Sequence, residues 1–279
     1  MDRAILEDLR KAYESGQLIA FVGAGVSLSG GLPSWKGLAQ RLLESARGRA
    51  TPEDVAEINE QISSYRLLEA VSAAKHILRK DFEREVIKAL DDAPIPDEPE
   101  AAKAIAALDP RLWAVITTNL DRFLERAFGG RWDALTDPPG NLGQQNHYIL
   151  KIHGTLRDAR TWVFTREQYD NAMYASPQLQ ETIRDLYRTH PFLFVGFGLE
   201  DDNIGMTLGQ VRAHSGEQPP THYALFPKGF VKPSRRRSLE DAGVRLIEYP
   251  APNNDHSKLV EVLRWLGAPA GTPVPEDGP

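Results

Sequence analysis

Gly23 and Gly25, separated by Ala24 and followed by Ser27, stand directly after the apolar run Leu18-Ile19-Ala20-Phe21-Val22. A chain that leaves a buried strand and turns into a helix exposes backbone N–H groups, and residues without a Cβ let a pyrophosphate approach them closely. Two further groups carry reactive side chains: Thr118, Asn119 and Asp121 form one, and His153 beside Gly154 the other. An amide side chain donates and accepts at once, a carboxylate accepts N–H bonds, and an imidazole with an ordinary pKa of about 6.5 takes up a proton near neutrality.

Each has a plainer alternative. The glycines could form only a tight turn. Thr118 or Asn119 could cap a helix running through Phe123, Leu124 and Phe128, and Asp201 could cap one holding Ile204 and Leu208. Trp35 could begin the apolar stripe continued by Leu38 and Leu42. His76, His147, His190, His214, His222 and His256 read as surface or hydrogen-bonded structural residues.

Single residues exclude the better-known glycine-loop chemistries. A dehydrogenase fingerprint fails because Leu28 occupies its third glycine position. A P-loop fails because Gly31 stands where lysine must be, and a nucleophile elbow around Ser27 fails because Ser29 replaces its closing glycine. With no cysteine in 279 residues, disulfides, thiolate zinc sites and cysteine nucleophiles are all ruled out. The 33 Lys and Arg against 39 Asp and Glu give a net charge of −6 and one dense cationic cluster, Arg235-Arg236-Arg237, so sequence-reading contacts to nucleic acid are not expected. No segment approaches the roughly 18 apolar residues of a membrane span, and a soluble, cytoplasmic protein is expected.

The elements that must position these groups follow from the apolar pattern. Besides residues 18–22, short apolar runs recur at Leu112–Ile116, Tyr148–Ile152, Phe192–Val195, Tyr223–Phe226 and Val244–Ile247. Continuous apolar runs mark strands buried on both faces, so the expected architecture is α/β, a doubly wound, Rossmann-like parallel sheet of six strands. Helical spacing between the first two runs predicts an inserted helical module over residues 53–90, ended by an acidic, proline-rich loop at 91–99. One domain over 1–266 is expected, followed by a disordered tail or linker at 267–279 that holds four prolines.

The pairing of Gly23-Ala24-Gly25-Val26-Ser27 with Gly31-Leu32-Pro33-Ser34-Trp35 resembles the sirtuin signature, with Lys36 where the family has arginine. Three blocks continue in family order: Thr118-Asn119-Leu120-Asp121, His153-Gly154, and Gly196-Phe197-Gly198-Leu199-Glu200-Asp201. Thr118 stands for the family glutamine and Gly198 for the usual serine, and cysteine-bound zinc is impossible here. The chain is therefore most similar to the divergent, zinc-free bacterial branch active in antiphage defence.

That resemblance implies NAD+ as substrate and no metal. It implies Asn119, His153 and Asp121 as catalytic, with Asp121 at the nicotinamide carboxamide and Asn119 orienting ribose hydroxyls and water. Gly23, Ala24, Gly25 and Ser27 would cradle phosphates, Gly196, Phe197, Gly198 and Asp201 would lie on the adenosine side, and Trp35 and Thr118 would line the pocket. The expected reaction is hydrolysis of NAD+ to ADP-ribose and nicotinamide. Protein deacylation, ADP-ribosyl transfer or non-catalytic binding of NAD+ or ADP-ribose are the alternatives. Control by self-association or a partner is implied as well, the partner being a translocase-type ATPase, an Argonaute-like protein or a phage-derived trigger.

Overall fold

The computed structural model describes residues 1–174, 177–197 and 220–276. Its centre is a parallel sheet built from β1 (Ile19–Val22), β2 (Ala114–Thr117), β3 (Asp133–Leu135), β4 (Tyr148–Lys151), β5 (Phe192–Val195), β6 (His222–Pro227) and β7 (Val244–Tyr249). The strands lie in the order β3-β4-β2-β1-β5-β6-β7. β1 pairs with β2 on one side, Ile19 opposite Ala114, and with β5 on the other, Ile19 opposite Phe192. The winding direction therefore reverses at β1, and the crevice between the carboxyl ends of β1 and β5 is where an open α/β sheet receives ligands.

Alternate strand residues enter two separate cores, as a two-residue side-chain period requires. Ala20, Val22, Val115, Leu193 and Val195 meet α1 (Arg3–Glu14), α7 (Glu100–Ala106) and the C-terminal helix α12 (Ser257–Gly267). Ile19, Phe21, Ile116, Phe192 and Phe194 meet Leu186 and Tyr187 of α10 (Pro177–Thr189) and Leu239 of α11 (Pro233–Asp241). The expected doubly wound α/β fold is present.

Among the described residues the sheet has seven strands rather than six. The missed one, β3, is three residues long and sits at the sheet edge, and its first two residues are exposed, so it carries no apolar run to read. Asp133-Ala134-Leu135 declares itself only through pairing with β4.

A third core belongs to the helices between β1 and β2. Leu38, Leu42, Leu43 and Ala46 of α3 (Trp35–Ala46) pack with Ile58 and Ile62 of α4 (Pro52–Ser63), Val71 and Leu78 of α5 (Leu67–Leu78), and Phe82 and Val86 of α6 (Phe82–Leu90). The module thus begins at α3, ahead of the expected residue 53, because the apolar face of α3 is completed only by α4 to α6. Local chemistry sets its boundaries: Ser34 Oγ accepts from Gly37 N–H at the start of α3, and Thr51 and Asp54 form a reciprocal capping box with Pro52 in the first turn of α4.

Two segments expected to be loose are held. In the 91–99 loop Asp92 is fully buried and takes a forked bond from Arg122, whose Nη2 lies 2.6 Å from Asp92 Oδ1. Arg126 donates to the carbonyls of Asp92, Ile95 and Pro96. Beyond α12, Arg10 of α1 donates to the carbonyls of Trp265, Ala268 and Pro269, Trp265 Nε1 donates to Thr272 O, and Val274 packs on the first core. The tail is tethered over 268–274, because an arginine from the other end of the chain supplies donors that its own prolines lack. Among the described residues no helix is long and apolar enough to cross a membrane.

Candidate active site

The residues after β1 turn at once into the short helix α2 (Ala24–Leu28). Gly23 N–H donates to Val195 O and Gly25 N–H to Gly196 O, binding the β1 turn to the β5 turn across the crevice. A Cβ at Gly23 would stand 2.7 Å from Gly196 O, and one at Gly25 2.8 Å from Gly196 Cα. The first need for these glycines is thus close packing of two backbone turns, and their own N–H groups are spent on it. Ala24 and Gly25 line the cleft.

Asn119, two residues past β2, donates through Nδ2 to Gly23 O at 3.0 Å and to Ser27 Oγ at 2.9 Å. A backbone carbonyl only accepts, so this fixes the orientation of the amide and leaves Oδ1 as the group it can offer a ligand. Ser27 Oγ in turn donates to Asp121 Oδ2 at 2.6 Å, and Asp121 Oδ1 accepts from Phe123 N–H at the start of α8 (Phe123–Ala127). The structure therefore gathers Asn119, Ser27 and Asp121 into one relay, and Asp121 rather than Thr118 or Asn119 makes the turn into the helix. Ser27 Oγ is engaged within the relay, unlike the phosphate contact expected for it.

Leu120, between the two polar residues, is buried in the core of the helical module with Leu156, Trp162 and Phe164. Its side chain pins the loop so that Asn119 and Asp121 face back toward α2.

His153 follows β4, the neighbour of β2. Thr117 pairs with Lys151, so Asn119 and His153 each stand two residues beyond matched positions on adjacent strands. Asn119, Asp121 and His153 are each only 7% exposed. Burial lowers the His153 imidazole to about 4 and keeps it neutral, while burial pushes the Asp121 carboxyl up against the opposing pull of Ser27 and Lys151. Gly154 turns the chain with φ +87°, and a Cβ there would lie 2.1 Å from Thr161 O.

A cleft of about 1610 Å³ opens beside the relay, lined by Ala24, Gly25, Trp35, Lys36, Gly196 and Phe197 among others. Phe197 packs against Phe21 at a tilt of 45° with ring centroids 5.2 Å apart, and Trp35 meets Phe164 edge-on at 5.3 Å. Trp35 thus both lines the cleft and packs on the third core, which Phe164 helps to form. Thr118 is half-buried, its N–H bonded to Val22 O. Gly198 and Asp201 lie outside the described residues.

Sequence reasoning missed two contributions. The turns after β6 and β7, including Pro227, Lys228, Phe230 and Asp255, line the far side of the cleft. Their signal was their place at the carboxyl ends of strands. Lys151 is 1% exposed at the end of β4 and contacts the Asn119–Asp121 loop. A lysine inside an otherwise apolar run was a readable signal, because lysine is almost never fully buried unless paired. Among the described residues no cluster of three His, Asp or Glu side chains suits a metal ion.

Residues 114–247 match the model of the SIR2-like domain. The chain is 26% identical over 266 residues to defense-associated sirtuin 2 of Bacillus subtilis, covering 89% of this chain and 25% of that protein. It is 24% identical over 235 residues to the NAD(+) hydrolase ThsA of Acinetobacter baumannii, covering 81% of this chain and 45% of that one. Both relatives are thus far longer than the part this chain matches. A mutant Sir2 homologue in complex with ADP ribose superimposes with a TM-score of 0.46 at 17% identity, over 95% of this chain and 96% of that chain.

Proposed function

We propose that this chain, through the SIR2-like domain it carries, is an NAD+ glycohydrolase of bacterial antiphage defence, cleaving NAD+ to ADP-ribose and nicotinamide. The observation that carries the reading is the buried Asn119–Ser27–Asp121 relay beside the switch-point crevice. The likeness to a relative named as an NAD(+) hydrolase, ThsA, supports it.

In this reading the pyrophosphate lies against Ala24 and Gly25, the adenosine against Gly196 and Phe197, and the nicotinamide ribose at the inner end near Asn119. Trp35 and Thr118 close that end. Asn119 Oδ1 accepts from a ribose hydroxyl or the attacking water, and Asp121 accepts from the carboxamide N–H. As the bond from ribose C1′ to the nicotinamide nitrogen breaks, its electron pair stays on nicotinamide and neutralises the pyridinium. Water bonds to C1′ and its proton leaves through neutral His153 to solvent. Holding reactants in this geometry supplies most of what such a cleavage needs, since the leaving group departs without protonation.

The sheet and module over 1–266 act as one NAD+-binding unit. An unrestrained NAD+ hydrolase harms its own cell, so the activity is gated in the cytoplasm by self-association or by a regulatory partner. The test is product analysis of NAD+ incubated with wild type, Asn119→Ala and His153→Ala across protein concentrations and with candidate activators. Equal amounts of ADP-ribose and nicotinamide from wild type, lost in both variants, are expected. NAD+ left intact under every condition, or consumed equally by the variants, would sink the proposal.

A further inference from the structure

Lys151 closes β4 with its side chain inside the protein and every ammonium proton directed. Nζ donates to Asp121 O at 2.5 Å, to Leu120 O at 3.2 Å and to Glu125 Oε1 at 2.6 Å. Two of these three partners are carbonyls of the loop that presents Asn119 and Asp121. The third belongs to α8, the helix that Asp121 starts. An ammonium can be turned out to solvent from a strand end at little cost, so its enclosure here has to be held by what it does for its partners.

We propose that Lys151 is a positioning residue of the site: its ammonium ties the Leu120 and Asp121 carbonyls to β4 and to α8, and so sets where the Asn119 amide and the Asp121 carboxyl stand. For catalysis this rests on the glycohydrolase reading above; the placement of Asp121 does not. The charged groups that face Asp121 among the described residues are Lys151 from β4 and Glu125 from α8, with the Ser27 hydroxyl from α2 as hydrogen-bond donor. Lys151 favours the carboxylate and Glu125 opposes it. If the pair mattered only as a structural clamp, removing either partner would act in the same direction. If Lys151 sets the geometry and field at Asp121, the two removals act in opposite directions.

The experiment compares full-length wild type, Lys151→Met and Glu125→Gln. It follows the Asp121 carboxyl by carbon-13 NMR titration, assigned with Asp121→Asn, alongside kcat and KM for NAD+. Lys151→Met is expected to raise the Asp121 midpoint by about one pH unit or more and to lower kcat about a hundredfold with a smaller change in KM. Glu125→Gln is expected to lower the midpoint. An unmoved midpoint in Lys151→Met, or shifts of the same sign in both variants, overturns the proposal. Should Lys151→Met not fold, Lys151→Gln takes its place, a raised Asp121 midpoint with lowered kcat supporting the proposal and an unmoved midpoint overturning it. Should wild type leave NAD+ intact, the glycohydrolase reading fails and the carboxyl titrations still decide the role of Lys151.

Discussion

Ser27 Oγ sits 2.6 Å from Asp121 Oδ2 while accepting from Asn119, so one hydroxyl, ninety-four residues away in sequence from its acceptor, joins the β1 turn to the β2 turn. Replacing Ser27 by Ala leaves a buried carboxylate oxygen and one buried amide N–H without partners. The expected cost is about 1–3 kcal/mol, read as a lower denaturation midpoint at unchanged m-value, with NAD+ cleavage lost alongside. An unaltered midpoint would show that the relay is slack.

The acid side of the stability curve carries the mark of buried histidine. His153 is held down to about 4 and His222 to about 3, both by desolvation, whereas in the unfolded chain each titrates near the ordinary value of about 6.5. Between those limits the unfolded chain binds protons that the folded chain refuses. Their contribution is complete above about pH 6.5 and is lost as pH falls toward 4. His153→Gln should make the stability slope across that window shallower. A slope equal to that of wild type would mean that His153 is protonated while folded.

Gly154 has no room for a side chain. With φ at +87° and the Thr161 carbonyl against the Cβ position, Gly154→Ala must shift either the His153 turn or residues 158–161. We expect a loss on the order of 3 kcal/mol, read by thermal or urea unfolding, and reduced turnover in whatever fraction remains folded. An alanine variant of wild-type stability and activity would refute this placement of the turn.

Arg122 and Asp92 form an ion pair between the β2 turn and the loop that follows the module, with the Asp92 side chain fully buried. Arg122→Ala leaves the fully buried carboxylate only the residue 122 backbone N–H and the Arg126 guanidinium 4.0 Å away, and should destabilise by about 3 kcal/mol in equilibrium unfolding. Asp92→Asn, which keeps acceptor capacity for the Arg122 N–H, should cost less. Equal costs would mean that the charge is irrelevant there.

Much of this arrangement was legible in residue types. The glycine pair, Asn119, Asp121 and His153 could be placed at strand ends because buried parallel strands leave unbroken apolar runs. What could not be read was who bonds to whom. Nothing in Ser27 distinguishes a phosphate ligand from a donor to Asp121, since that choice depends on how far the β1 turn stands from the β2 turn. Asp92 lay in a stretch whose prolines and charges suggest a solvated loop, and only Arg122, thirty residues later, makes its burial tolerable. β3 was invisible because an edge strand of three residues needs no apolar pattern. Lys151 was visible and passed over.

The central position of β1 has a consequence for how the chain comes into being. Ile19 waits for Ala114 on one flank and for Phe192 on the other, so its neighbours arrive 95 and 173 residues later in a chain of 279. Pairings of such high contact order form slowly, and until they form both edges of β1 are open to other chains. Translation stalled before Val195 would therefore leave a nascent chain whose wholly apolar β1 has one edge open, with no complete β5 to pair with it. Truncations ending between α10 and β5 should accumulate as aggregates bound by chaperones, whereas chains reaching Tyr249 can complete the sheet.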